Sequence, residues 1–299
     1  MIVNGANLRE LGVSFKASFQ GGLDMAEPLA QRVSTTVPSN TGTEEYGWLG
    51  RIAAVREWLG DRQVNNITSS GYTIKNKDYE NTISVPRNDI EDDNLGLYGP
   101  MFTEFGRTAA AHKEQMVWPL LQGGFNSLCF DGQPYFSTAH PLILPNGQMG
   151  SYANTDANPG NGPTWFLIDD TRALKPILFQ DRKPFQFVAK DRVDDENVFS
   201  RKEFLYGIDA RRNVGFGFPQ FAWGSMLALN AANYSAARAN MRGLVGDFGI
   251  KLGIRPKLLA VPPELEGAGL QLLNADRNAD GSTNVWKGTA ELLVVEWLN

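Results

Sequence analysis

The segment from 62 to 121 decides the fold, because a polar alternating stretch runs there directly into a long helical one. The first part reads RQVNNITSSGYTIKNKDYENTISV (62–85) and the second reads PMFTEFGRTAAAHKEQMVWPLL (100–121). Toward the end of the first part the side chains alternate between two faces, as in β-strands. Turn residues at 69–71 and 76–78 interrupt it. The pattern predicts a two-stranded ribbon followed by a helix.

The predicted ribbon carries too little apolar surface to stand alone. An isolated hairpin in water is marginally stable, because ordering its residues costs conformational entropy. We therefore expect the ribbon to lie on another subunit. The candidate interface residues, all in or beside the ribbon, are Trp58, Arg62, Tyr72, Lys75, Lys77 and Arg87.

The predicted helix shows one apolar stripe. Its members recur at steps of three and four, and they are Tyr98, Phe102, Phe105, Ala109, His112, Met116 and Leu120. Pro100 suits a first helical position, and Pro119 is expected to end or kink the helix near Trp118. Over residues 100–121 such a helix would extend about 33 Å.

Length and composition describe an ordinary globular protein. A chain of 299 residues can bury a sizeable core, and its 42% hydrophobic and 20% charged residues are typical of soluble domains. It has no run of about 18 apolar residues, and its first residues lack the pattern of a secretory signal. The single cysteine, Cys129, excludes an internal disulfide and suits a reducing compartment.

Charge argues against a direct nucleic-acid-binding function. The formal net charge is −5, and the sequence shows no cluster of lysine and arginine. Tight binding of a phosphate backbone depends on a basic stripe that displaces counterions.

The N-terminal region is expected to hold two short helices. Leu8, Leu11, Phe15 and Phe19 have helical spacing ahead of two glycines at 21–22. This first helix either packs on its own domain or docks on a neighbour. The second helix is expected from 48 to 58.

The rest of the chain reads as a loop, a strand pair and a small α/β unit. Residues 131–164 form a long Gly-, Asn- and Pro-rich loop, and 177–221 predicts a long antiparallel strand pair with a turn at 194–197. The elements expected after it are a helix capped by Asn230 and ending at Gly243, a strand at 257–261, a helix opened by Pro262 and Pro263, and a strand at 292–295 covered on both faces.

Catalytic residue types are scarce. The two histidines are His112, on the apolar stripe of the helix, and His140, near Cys129 in sequence. We expect His112 to be a core or interface residue. A Cys–His nucleophile pair formed by Cys129 and His140 is the alternative to a structural loop there, and the structural loop is favoured.

Metal and cofactor motifs are equally weak. Residues 276–281 (DRNADG) match the start of a calcium loop, but its twelfth position is Lys287 where a bidentate glutamate is needed. The acidic cluster at 89–93 suits helix capping or salt bridges better than a cation site or an acid/base pair. The chain has no phosphate-binding glycine loop. We expect no metal and no cofactor.

Six segments spread along the chain resemble one known family. They are YGWLGRIAAVREWLGD (46–61), GYTIKN (71–76), DIEDDNLGLYGPMF (89–102), CFDGQPYFSTAHP (129–141), VFSRKEFLYGIDARRNVGFGF (198–218) and LGIRPKLLAVPPELE (252–266). Together they resemble the major head subunit of Mu-like phages and prophages. The resemblance spans nearly the whole chain.

The resemblance implies an α+β fold of the Hong Kong 97 capsid type. In that fold residues 1–45 would form an N-terminal arm and 46–88 an extended loop. Residues 89–222 would form a peripheral domain with a spine helix, and 223–299 mainly an axial α/β domain.

The resemblance also implies a function and partners. The chain would be a major capsid protein whose pentamers and hexamers build an icosahedral shell around double-stranded DNA, without sequence-specific DNA contacts or a membrane. Scaffold, protease and portal proteins would be assembly partners, and the chain would occur in the host cytoplasm during assembly and then in the virion. An encapsulin-like compartment is the alternative within the fold, and an enzyme is a more distant one.

Overall fold

The computed structural model describes residues 3–26, 28–47, 49, 71–92, 96–158 and 160–298. Its helices are α1 (Gly5–Leu23), α2 (Arg87–Glu91), α3 (Tyr98–Gln122), α4 (Glu196–Arg201), α5 (Ala231–Gly243) and α6 (Glu266–Leu273). Its strands are β1 (Ser34–Pro38), β2 (Thr43–Glu45), β3 (Thr73–Lys75), β4 (Lys77–Pro86), β5 (His140–Ile143), β6 (Met149–Tyr152), β7 (Trp165–Ile168), β8 (Ile177–Lys190), β9 (Glu203–Phe216), β10 (Ala222–Ser225), β11 (Leu258–Val261) and β12 (Glu291–Val294).

The first of the two four-stranded sheets contains the long strands β8 and β9. Its order is β1-β8-β9-β4, with β8 and β9 antiparallel and β1 parallel to β8. The predicted long strand pair is therefore confirmed. The connection between its strands overlaps the expected turn at 194–197 and also contains the short helix α4, which runs on to Arg201.

The long helix α3 packs on this sheet, and α1 packs across α3. Phe102 stacks on Phe15 of α1 with ring centroids 4.2 Å apart and meets Tyr206 of β9 edge-on at 5.4 Å. The expected N-terminal helix thus packs on its own chain. At the crossing, Gly22 faces the backbone of Thr103 so closely that there is no room for a β-carbon.

The buried face of α3 changes halfway along the helix. Through Ala109 it follows the predicted stripe, but beyond it Val117, Trp118 and Leu121 are fully buried. The reason is a change of partner, because the first half joins the core under the long sheet and the second half joins a core around β7 and β8. A single straight stripe cannot represent a helix with two partners.

The helix also continues past Pro119 to Gln122, so of the two expected outcomes, an end or a kink near Trp118, the end is wrong. A proline in the last turn removes only one backbone hydrogen bond. The fully buried Trp118 and Leu121 hold that turn in place.

A second four-stranded sheet organises the C-terminal part. Its order is β10-β7-β11-β12, and α5 and α6 pack against it. Asn230 caps α5 by accepting the Asn233 N–H, as expected. All four residues of β11 are buried, and β12 lies at the sheet edge with Glu291 exposed. The expected strand at 292–295 nevertheless has apolar partners on both faces, because Leu293 and Val295 belong to one core while Leu292 and Val294 pack against the other.

The predicted ribbon is also corrected for the residues that the structure describes. Strand β3 pairs with β2, and β4 pairs with β9, so β3 and β4 do not pair with each other. Asn76 lies between them. It is buried, and its side chain donates a hydrogen bond to the Ser39 hydroxyl of the same chain. The beginning of the ribbon at 62–70 and nearly all of the helix expected from 48 to 58 lie outside the described residues.

Candidate assembly surface

The base of the 46–88 region is a closed clasp within the chain. Strands β2 and β3 pair antiparallel, with Glu44 opposite Ile74. Immediately beyond them the Tyr46 N–H donates to the Tyr72 carbonyl at 2.8 Å. The described residues on either side of 50–70 therefore meet at one place. We call residues 43–46 and 72–76 the clasp.

The side chain of Gln180, on β8, forms hydrogen bonds with both segments of the clasp. Its side chain is fully buried and accepts the Tyr46 hydroxyl at 2.7 Å. Its amide group donates to Asn76 Oδ1 at 2.7 Å and to the Ile74 carbonyl at 3.2 Å. Because each partner is itself buried, this network has a single satisfied arrangement.

Tyr72 anchors the clasp to the long sheet. Its hydroxyl accepts the Phe216 N–H at 2.8 Å, and burial raises the pKa of Tyr72 above its usual value. The expectation that Tyr72 depends on a neighbour for its order is wrong, because β9 of its own chain supplies the partner. A contact between Tyr72 and a neighbouring subunit stays a prediction.

The basic candidate residues differ in whether they form ion pairs within their own chain. Lys75 and Lys77 are exposed, and neither forms an ion pair with another residue of the described ranges. Arg87 pairs with Glu91 at 2.8 Å on α2. Trp58 and Arg62 lie outside the described residues. Among the described residues, Lys75 in the clasp and Lys77 directly after it are thus two cations without an ion-pair partner.

A cluster at the start of β5 brings together the side chains of Cys129, Asp131 and His140. His140 Nδ1 lies 2.6 Å from Asp131 Oδ2, and the Cys129 thiol donates to Asp131 Oδ1 at 3.1 Å. Asn154 lies beside the other nitrogen of His140, with its Oδ1 3.2 Å away. Every potential ligand atom of this cluster is therefore already hydrogen-bonded.

The electrostatics of the cluster oppose nucleophilic chemistry. Burial, together with the hydrogen bond to Asp131, raises the pKa of the Cys129 thiol far above its usual value. A nucleophile or a metal ligand needs the thiolate. Burial alone would raise the pKa of Asp131, but the hydrogen bonds from His140, Cys129 and the Gln133 N–H outweigh it and lower that pKa. The geometry is that of a structural loop, as expected.

The two remaining polar motifs also have structural partners. Lys287 forms an ion pair with Asp276 and lowers the pKa of that carboxyl group. The first carboxylate of the calcium-like loop is therefore already paired with a lysine ammonium group. Within the acidic cluster, Asp89 accepts the Tyr98 hydroxyl. Burial and this carboxylate raise the pKa of Tyr98 to about 12.

His112 is a half-buried packing residue. Its ring lies between Tyr79 of β4 and Phe185 of β8, with centroids 4.4 Å and 5.6 Å away. Burial lowers the pKa of His112, and the nearby Arg212 lowers it further. The ring therefore packs between α3 and the long sheet, in agreement with the core interpretation.

Two structural residues escaped the sequence analysis. Glu114 is buried on α3, where it accepts the Ala30 N–H at 2.9 Å and the Trp118 indole N–H at 2.7 Å. Gln180 is the other. A signal existed for Gln180, because it interrupts the apolar run at 177–179, but nothing in the sequence names its partners. Among the described residues no helix is long and apolar enough to cross a membrane.

Sequence comparison places these features in a known group. A family model described as the Mu-like prophage major head subunit gpT matches residues 8–298. The major capsid protein of Escherichia phage Mu is 39% identical over 305 residues, covering 100% of both chains. The Mu-like prophage FluMu major head subunit of Haemophilus influenzae is 38% identical over 283 residues, covering 93% of this chain and 92% of its own.

Structure comparison points the same way. A chain from the procapsid of bacteriophage JBD30 has a TM-score of 0.90 at 39% identity, covering 99% of this chain and 100% of its own. A chain from the JBD30 capsid has a TM-score of 0.81 at 31% identity, covering 100% of both. On these matches along nearly its whole length, the chain belongs to the Mu-like gpT family of major head subunits and has the α+β Hong Kong 97 type of capsid fold.

Proposed function

We propose that this chain assembles into pentamers and hexamers that close an icosahedral shell around double-stranded DNA. Its family is one of structural capsid proteins and not of enzymes, and forming the shell of the virion is the role of such a subunit. The observation that carries the proposal is similarity along nearly the full chain to both a procapsid and a capsid subunit.

The 46–88 region is proposed to supply contacts between subunits. Its base is held by the hydrogen bonds of the clasp, while Lys75 in the clasp and Lys77 directly after it have no ion-pair partner among the described residues. Trp58, Arg62, Tyr72 and Arg87 complete the proposed contact. Many weak contacts of this kind add up in a closed shell, because each subunit is held at several places at once.

The other partners are proposed from chemistry and from the family. A net charge of −5 suits a container that tolerates packaged DNA without binding it tightly. Scaffold, protease and portal proteins are proposed as partners during assembly in the host cytoplasm.

The four-part division of the chain is proposed with one adjustment. Residues 1–45, 46–88, 89–222 and 223–299 keep their assignments as arm, extended loop, peripheral and mainly axial parts. Strand β7 at 165–168 pairs with β10 and β11, so it lies in the sheet of the last part.

Charge reversal at the clasp tests the proposed contact. We expect the double variant K75E/K77E to yield fewer particles, measured by sedimentation and electron microscopy. The circular dichroism of its unassembled subunit should match that of the unmodified chain, because both lysines are exposed.

The control is K16E/K251E, which changes the net charge equally at two other exposed lysines. An equal loss of particles in both double variants would attribute the effect to net charge and count against the contact. Normal assembly of K75E/K77E would also count against it.

An encapsulin-like compartment is not favoured, since the family match covers residues 8–298 and concerns phage head subunits. The contents of purified particles separate the two functions. We expect DNA in particles from phage-producing cells, whereas an enclosed enzyme would support the compartment.

A further inference from the structure

The cluster of Cys129, Asp131 and His140 contains the side-chain types that bind transition metals. Each residue offers one ligand atom, and these atoms all lie within 4.8 Å of one another. The side chains of His140 and Asp131 are 0% and 7% exposed, and Cys129 is buried. Ligand atoms of a tetrahedral zinc site lie about 3.3–3.8 Å apart, because the bonds to the metal are about 2.0–2.3 Å long. The observed cluster reaches that geometry by side-chain shifts of about 1 Å or less.

The surroundings of His140 leave one of its two nitrogens to face the other ligands. Nε2 has two oxygen neighbours, the Tyr135 carbonyl at 3.1 Å and Asn154 Oδ1 at 3.2 Å. The orientation of Asn154 is fixed, because its amide group donates to the Tyr135 and Pro219 carbonyls. Nε2 therefore carries a hydrogen, and Nδ1 faces Asp131. A histidine that binds a metal donates its other ring N–H to such an oxygen.

The turn that carries the other two ligands is closed by backbone hydrogen bonds. The Gly132 N–H donates to the Cys129 carbonyl at 3.1 Å, and the Cys129 N–H donates to the Gln133 carbonyl at 2.8 Å. The Gln133 N–H also donates to Asp131 Oδ1 at 3.0 Å, which leaves Asp131 Oδ2 directed at His140. The ligands are thus positioned before a cation binds, and this lowers the entropy cost of binding.

The charge of the cluster matches a divalent cation. One hydrogen must lie between His140 Nδ1 and Asp131 Oδ2, because two lone pairs 2.6 Å apart would repel each other. A bound metal takes the place of this hydrogen and of the Cys129 thiol hydrogen, and both leave as protons to solvent. The thiolate and the carboxylate then balance the two positive charges of the metal. The buried site therefore carries no net charge, which avoids the cost of burying an unpaired charge.

We propose that Cys129, Asp131 and His140 bind one zinc ion, with a water molecule as the fourth ligand. A thiolate combined with an imidazole favours zinc over magnesium or calcium. Solvent can reach the site, because a cavity of about 160 Å³ that is open to solvent is lined in part by Asp131, Tyr152 and Asp247. The expectation of no metal was based on sites closed by four protein ligands, whereas an open site needs three.

Bound zinc would join the turn after α3 to the first residue of β5, and this role is independent of shell formation. The raised pKa of the Cys129 thiol weakens binding without preventing it, because the metal displaces the proton.

Zinc binding by the full chain tests the proposal. We expect one Zn²⁺ per chain with a Kd of about 1 µM or tighter, measured by competition with a chromophoric chelator. C129S and D131N each remove one ligand and should weaken binding by at least about 100-fold, since loss of a residue that merely supports a ligand already costs about 10- to 100-fold. D276N, which removes an exposed carboxylate of the calcium-like loop, is the control and should bind as the unmodified chain does.

A chain that stays largely metal-free at about 10 µM free Zn²⁺ would overturn the proposal. Equal affinity in C129S would also overturn it, and so would an equal loss in D276N. If C129S and D131N prove unfolded by circular dichroism, cobalt binding to the unmodified chain decides the question. A thiolate-to-cobalt charge-transfer band at one equivalent of Co²⁺ would support the site, and its absence would overturn it.

Discussion

At the scale of single residues, buried polar side chains set the geometry of the clasp. Gln180 serves three groups at once, the Tyr46 hydroxyl, the Ile74 carbonyl and the Asn76 side chain. Without it, Asn76 Oδ1 would lose the hydrogen bond that Gln180 donates, although the Asn76 amide group would keep its bonds to Ser39 and Thr41. Leaving one buried polar group unsatisfied costs roughly 1–3 kcal/mol.

The variant Q180L measures this role. We expect it to lower the free energy of unfolding of the unassembled subunit by about 3 kcal/mol, determined by urea unfolding. The matched control is Q186L, on the same strand but exposed, where the change should stay within about 0.5 kcal/mol. Equal unfolding curves for the two variants would show that the network contributes no net stability.

At the scale of elements, the crossing of α1 and α3 depends on two glycines. Gly22 faces the Thr103 carbonyl, and Gly106 faces the Phe19 carbonyl, with no space for a β-carbon at either position. The backbones can therefore touch, which brings Phe15 and Phe19 into contact with the aromatic residues of α3. This approach explains why the N-terminal helix packs on its own chain.

Adding one methyl group at the crossing should separate the helices. We expect G106A to reduce the protection of α1 from hydrogen exchange and to cost about 1–3 kcal/mol of stability. G99A lies on the same helix with no atom within 4 Å of its new β-carbon, and should leave α1 protected. A helix interior prefers alanine to glycine by up to about 1 kcal/mol. Unchanged protection in G106A would contradict the close approach.

At the scale of the whole molecule, the described body is closed without help from another subunit. The clasp joins the described residues on either side of 50–70, and Leu49 is buried in the core. The body and the contacts between subunits are therefore separable. This view replaces the expectation that the residues around Tyr72 owe their order to a neighbour.

Replacing residues 50–70 by a flexible Gly/Ser linker of about eight residues tests this separation. The shortened chain should keep its thermal unfolding midpoint within a few degrees, measured by circular dichroism, and should fail to form particles. An unfolded product would contradict a self-sufficient body. Particles of normal size and yield would contradict a role for the 46–88 region in assembly.

The sequence by itself determined the elements whose signals are local. The α3 helix, the long β8–β9 pair and the Asn230 cap follow from periodicity, turn residues and capping chemistry. The spread of family-like segments also identified the fold, because matches along the whole chain cannot arise from one local pattern. The packing position of His112 against the long sheet followed from its place on the stripe.

Only the tertiary structure decided which elements meet. Periodicity cannot tell which strand β3 or β4 will pair with, since pairing depends on contacts far apart in sequence. It cannot show that Gln180 reaches Tyr46, or that α3 changes partner after Ala109. These outcomes depend on packing and on the satisfaction of buried polar groups, and both are properties of the assembled chain.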